Sequence, residues 1–274
     1  MWFNAGGSWG ASLSSLFLLF TLILNVAAQT FGITLDKAAR DDAQRFVYSA
    51  KLTFEQDTGT LFSDGQLYGL ARAAFNEMQT KFNADKVRFN RQPVMMAAMA
   101  LGKDVYLSSN LKGGPFLYTY ADSRLKPQVV VALERCQTSL QDAARRGTTV
   151  DKQHRTQASC AEVAAVHQYY LDDAVSEAAR NDPPPTRIVA YGKAGQDGPI
   201  GPQNACGGGD VVKNGVLTWG CKQFMADEQI TVPRKPTNNL NLNLPNPFPK
   251  FTTTQVSVIV VAAILIGSAI YNRH

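Results

Sequence analysis

Charge divides this chain into three parts, and only the middle part can fold as a water-exposed domain. All 22 acidic residues lie between Asp36 and Lys235, together with all but two of the 27 basic residues; the exceptions are Lys250 and Arg273. No charged side chain precedes Asp36. Charged groups stay on the exterior of a folded domain, so the fold is built from roughly 200 central residues, enough for one domain with a sizeable core. The positive balance left in that region is too mild to argue nucleic-acid binding from charge alone.

The two ends read as targeting and tethering segments. Residues 16–24 (LFLLFTLIL) are a short apolar run followed by the small residues Ala27 and Ala28, the pattern of a secretory signal peptide over residues 1–28. Its basic n-region is missing apart from the α-amino group. The competing reading is an uncleaved anchor, for which the run is short. Residues 251–271 carry no charge, and a span needs about 20 mostly apolar residues, so a transmembrane helix is expected there. A lipid-anchor signal with residues 256–270 as its tail is the alternative, although no convincing triplet of small residues precedes it. Residues 236–250 (PTNNLNLNLPNPFPK) have the composition of an extended linker. These readings place the domain on the lumenal or extracellular side of a membrane. Secretion favours disulfides, yet there are four cysteines, at 136, 160, 206 and 221, and no Asn-x-Ser/Thr acceptor.

Within the charged region, residues 36–90 read as helical, so residues 29–90 are taken as a helical N-terminal extension. Ser63 and Gln66 have capping-box spacing, and Leu67, Leu70, Ala71, Ala74, Phe75, Met78 and Phe82 follow as one apolar stripe. Residues 94–107 read as two strands about a turn at Gly102. Pro127 suits the first turn of a helix whose apolar face includes Val129, Ala132, Leu133 and Cys136, which makes Cys136 a buried small hydrophobe. Another helix runs from Ser159 to about Arg180, where Pro183 and its successors end it. Residues 187–191 (RIVAY) are a strand. Residues 211–219 are a hairpin turning at Asn214-Gly215, and Cys221 opens a last short helix. This order gives a layered α/β domain over residues 91–235.

The chemistry-bearing cluster is Cys160-Ala161-Glu162 at one helix start, with Cys206 after a strand and loop and Cys221 at the next helix start. Three thiolates can hold one zinc ion with its fourth position open to water, and Glu162 would then be the proton shuttle for that water. Glu162 also ends a Ser159-x-x-Glu capping box, a purely structural role. His154 and His167 have no partner at metal-binding spacing and read as ordinary polar residues.

These residues resemble the cytidine deaminase-like superfamily, whose signature is His/Cys-x-Glu on one helix and Pro-Cys-x-x-Cys on the next. Cys160-Ala161-Glu162 matches the first half; Cys221-Lys222-Gln223-Phe224-Met225 is similar to the end of the second. The likeness covers roughly residues 91–232 and is nearest to secreted, toxin-type deaminase branches. It implies a mixed sheet with helices on both faces, Zn2+ bound by Cys160, Cys206 and Cys221, Glu162 as the catalytic group, and hydrolytic deamination of a nucleobase, nucleoside or nucleic acid. It also suggests that Asn110, just past the second hairpin strand, contacts the sugar; a turn-forming role is the plainer reading. The chain departs from the pattern in two ways. Residues 207–220 separate the downstream cysteines where the family has two residues, and Ala205 replaces the proline. The Asn214-Gly215 hairpin would fold that insertion out and return Cys221 beside Cys206, which suits zinc and equally a disulfide. A disulfide would leave a catalytically silent protein of the same fold with a binding or structural role.

Overall fold

The structure is a computed structural model and describes residues 30–36, 45–113, 127–144, 146–195, 198–205, 211–236, 243–246 and 248–253. The chain divides into Met1–Thr30 and Phe31–His274. The architecture below is that of the second unit; the signal-peptide segment lies outside the described residues.

Strand β3 (Met95–Leu101) shows why the domain is layered. Met96, Ala98 and Ala100 enter one core, while Ala97, Met99 and Leu101 enter another. Successive strand residues point to opposite faces, so a strand that is apolar on both must be covered on both. The first face is covered by α2 (Asp64–Lys81), which follows the short α1 (Thr58–Leu61). Ser63 and Gln66 form the capping box reciprocally, and Leu67, Leu70, Ala71, Ala74, Phe75 and Met78 are buried as the 3.6-residue period requires. The opposite core collects α3 (Gln128–Ala143), α4 (Ala161–Leu171) and α6 (Cys221–Asp227), with α5 (Glu177–Asn181) following α4. Cys136 lies buried on α3 as expected, and burial pushes its thiol up to about 12.

The main sheet comprises β1 (Thr34–Leu35), β2 (Tyr48–Phe54), β3, β4 (Asp104–Ser109), β6 (Thr186–Lys193), β7 (Ile200–Gln203) and β10 (Phe251–Thr253). Its order is β1-β2-β4-β3-β6-β7, with β10 also paired to β2. Every one of these pairings is antiparallel, so the expected mixed sheet is instead an antiparallel one. Tight connections produce part of this, because hairpins join only antiparallel neighbours; β3 and β4 turn at Gly102, where φ is +51°. A small second sheet holds β5 (Thr149–Val150), β8 (Val211–Lys213) and β9 (Val216–Thr218), with β5 parallel to β9. The β8–β9 hairpin turns at Asn214 and Gly215, both with positive φ, as its dipeptide requires.

Three expectations are corrected. Residues 29–90 are not a helical extension, since β1 and β2 belong to the main sheet. Tyr48, Leu52 and Phe54 are buried at strand spacing, and β2 pairs with β4 along Ser49–Thr53. The helix expected from Ser159 to Arg180 is two helices. Asp172 leaves helical geometry (ψ 108°) while its carboxylate accepts from Lys51 Nζ at 2.6 Å and from Tyr106 Oη, and Ser176 caps α5. The end of the expected linker docks on the domain. Phe248 and Phe251 pack among Phe31, Phe54 and Phe62, and Phe251–Thr253 adds a strand to β2. The first three residues of the expected membrane span are therefore strand, and the rest of that span lies outside the described residues. Among the described residues, no helix is long and apolar enough to cross a membrane.

Candidate metal centre and cavity

Cys160 is the N-cap residue of α4, and Cys221 is the first residue of α6. The turn that precedes α4 brings a third ligand to them. His154 introduces a tight turn in which Thr156, Gln157 and Ala158 have φ of 60°, 52° and 59°. Consecutive left-handed conformations at residues bearing a Cβ are strained, and they reverse the chain within six residues. As a result His154, Cys160 and Cys221 each offer a ligand atom, and these atoms lie within 4.8 Å of one another. A tetrahedral centre with bonds of about 2.3 Å spaces its ligand atoms by roughly 3.8 Å, so the group could close on a cation once both cysteines are reduced to thiolates. The cluster could bind a metal ion. Sequence spacing missed His154, because strained backbone that no residue pattern announces sets its approach to Cys160.

The surroundings hold His154 in one orientation. It is 1% exposed and lies edge-on to Trp219, with ring centroids 5.2 Å apart at 80°. Trp219 Nε1 donates to Asp151 O at 2.9 Å, and Arg155 N–H donates to Trp219 O at 2.9 Å, so the end of β9 clamps the turn. His154 Nδ1 contacts the Arg155 carbonyl, which can only accept. With the ring proton on Nδ1, the carbonyl contact would hold the imidazole as the second partner behind a ligating histidine usually does. Burial lowers the imidazole to about 4, so it is neutral, as a ligand must be. Thr156 Oγ1 lies 3.0 Å from Cys160 Sγ.

The donors are one imidazole nitrogen and two sulfurs, a set that suits a borderline-soft cation. Cys136 is a free cysteine, whereas Cys160 and Cys221 stand as disulfide-bonded cysteines. Only thiolate sulfur ligates, so the metal-binding form is the reduced one. Cys206, the other sequence candidate, lies outside the described residues.

Glu162 is the second residue of α4 and is 3% exposed. Its Oε2 is 3.8 Å from Cys221 Sγ. The expected Ser159 capping box does not form, because the N-cap is Cys160 and its side chain makes no cap hydrogen bond. The carboxylate lies beside the Cys221 sulfur. Cys160, Glu162 and Asn110 all line one cavity of about 550 Å3 at the end of the main sheet, a size that accommodates a small organic ligand. Asn110 Oδ1 accepts from Val94 N–H at 2.8 Å and from Met95 N–H at 2.9 Å. Its carbonyl therefore ties the end of β4 to the start of β3, and Nδ2 is the donor left at the cavity wall. His167 stays outside the cluster, buried on α4, where burial lowers it to about 4.

No family model, curated protein or solved structure matches this chain.

Proposed function

We propose that the cavity is the active site of a zinc-dependent hydrolase that removes an exocyclic amine from a nucleobase-type ring. The observation that carries this reading is the position of Glu162: a buried carboxylate beside the Cys221 sulfur that also lines a ligand-sized cavity. His154, Cys160 and Cys221 would hold the ion, which supplies Lewis acidity and lowers the pKa of water. The overall conversion replaces a ring C–NH2 by C=O, consuming one water and releasing one ammonia. Glu162 takes a proton from the attacking water and delivers it to the departing amine. Its low exposure keeps bulk water from competing for that proton. Asn110 Nδ2 orients the substrate from the cavity wall. The signal-like start and apolar end of the sequence support a lumenal or extracellular setting for this activity.

A second reading is supported by His154. With Cys206 as a fourth ligand, a Cys3His set would close the coordination sphere, as structural zinc sites do. The disulfide state of Cys160 and Cys221 supports the same conclusion by another route: a stapled, catalytically silent domain with a binding role.

The deciding experiment loads the reduced full chain with Zn2+ and assays ammonia release from cytidine, adenosine and guanosine, their monophosphates and short single-stranded oligonucleotides. Release that needs both zinc and Glu162 supports the enzyme. A zinc-loaded chain that releases no ammonia from any of them supports the structural reading instead.

A further inference from the structure

The cavity wall carries more positive charge than a neutral base needs. Lys112, Lys193 and Arg155 line it, and Glu162 is the one carboxylate among its described lining residues. The chain as a whole has 27 basic and 22 acidic residues, so a wall with three cations and one anion is a local concentration. Backbone pairing places the two lysines. Lys193 N–H donates to Val94 O at 2.8 Å at the end of β6, while Asn110 N–H donates to Met95 O at 3.1 Å just past β4. Lys193 therefore sits beside the start of β3, while Lys112 follows two residues after Asn110 and exchanges backbone hydrogen bonds with Phe46. Both side chains are half-buried, and neither has a carboxylate partner among the described residues. Both also line a second, smaller cavity adjoining the first, so they stand at the lip between the two.

The backbone at this lip is held closely. Gly192 adopts φ +155°, and a Cβ there would meet Val94 O at 2.2 Å. Only glycine lets β6 approach β3 this way, and that approach sets where Lys193 begins.

A half-buried ammonium with no carboxylate partner among the described residues favours a nearby anion, and two of them beside one cavity repel each other. An anion between them relieves both penalties. We infer that Lys112 and Lys193 form a phosphate-binding lip, so that the cavity takes a base carrying a phosphate ester in preference to a free nucleoside. This inference rests on the deaminase reading for the base but not for the phosphate. The phosphate belongs either to a mononucleotide or to a single strand.

The test measures binding to the zinc-loaded full chain by calorimetry at low ionic strength, with ammonia release followed separately. Probes are cytidine, adenosine and guanosine, their 5′-monophosphates, and a short mixed single strand. At least one monophosphate or the strand is expected to bind ten-fold or more tightly than the matching nucleoside. The advantage should shrink in 0.5 M salt, since screening acts on exposed charge. It should vanish in Lys112→Gln/Lys193→Gln, with metal content and circular dichroism unchanged. Tighter binding of the strand than of monophosphates assigns the phosphate to a polymer; the reverse assigns it to a mononucleotide. Equal binding of nucleosides and phosphorylated probes overturns the inference, as does a preference that survives the double substitution. Lysine-dependent phosphate binding without ammonia release would leave the lip standing and remove the deaminase instead.

Discussion

Glu162 Oε2 lies 3.8 Å from Cys221 Sγ, although 59 residues separate the two in the chain. One is on the first turn of α4 and the other opens α6, and both helices pack on the same face of the sheet. A carboxylate beside a sulfur of the proposed zinc group, and outside that group, can move protons without being consumed in coordination. Glu162→Gln should therefore keep zinc stoichiometry and thermal stability while turnover falls by about 10²–10⁴-fold. Loss of zinc together with activity would make Glu162 a ligand, which metal analysis of the purified variant decides.

The coordination number separates the two readings of the centre. In the reduced protein, His154→Gln and Cys160→Ser should each weaken zinc binding sharply, read by competition with a chromophoric chelator. Cys206→Ser should leave that affinity nearly unchanged if the site is catalytic, and a sharp loss would make Cys206 a fourth ligand. X-ray absorption of the zinc-loaded wild type should then show three protein ligands and one light oxygen scatterer. Three sulfurs and one nitrogen would show a closed structural centre.

The aromatic cluster at the end of the linker predicts that the tail is part of the fold. Phe248 lies 5.9 Å from Phe62 and Phe251 lies 5.6 Å from Phe54, ring centroid to centroid. Both rings are partly buried, so Phe248→Ala and Phe251→Ala should each cost about 1–3 kcal/mol. Chemical denaturation reads this as a lower midpoint at unchanged slope. A chain cut before Phe248 should lose the pairing of β10 to β2 as well, and equal midpoints would show that the segment does not dock.

Acid sensitivity should come partly from His167. Burial holds its imidazole at about 4, with the nearby Asp36 raising it less than burial lowers it. The unfolded chain takes up that proton near pH 6.5, so between about 6.5 and 4 the unfolded state binds more protons and stability falls as pH falls. The slope is about 1.4 kcal/mol per pH unit at most. His167→Leu should flatten the stability profile in that window, measured by denaturant midpoints at pH 7, 5.5 and 4.5. An unchanged slope would place the sensitivity elsewhere.

Much of the local structure follows from short-range chemistry that a sequence carries openly. The Ser63–Gln66 cap, the α2 stripe, the Gly102 and Asn214-Gly215 turns and the apolar face of α3 each depend on residues within a few positions of one another. The break at Asp172 is not legible in this way, because the sheet beneath it supplies the donors Lys51 and Tyr106. Residues 48–54 are not legible as a strand, since they gain their identity from β4 and β10 on either side.

The candidate site divides along the same line. Residue order alone establishes that a cysteine and a glutamate two residues apart begin a helix, and that further cysteines follow a turn-rich loop. That much is composition and helix-end chemistry. It takes the folded chain to join His154 to Cys160 and Cys221, and to bring Glu162 beside Cys221 at a cavity wall. Folding likewise brings Lys112 and Lys193 to one lip. Those relationships span long stretches of chain or pass through left-handed backbone at Thr156, Gln157 and Ala158. Long-range burial holds such conformations in place, and no local preference of the residues would select them.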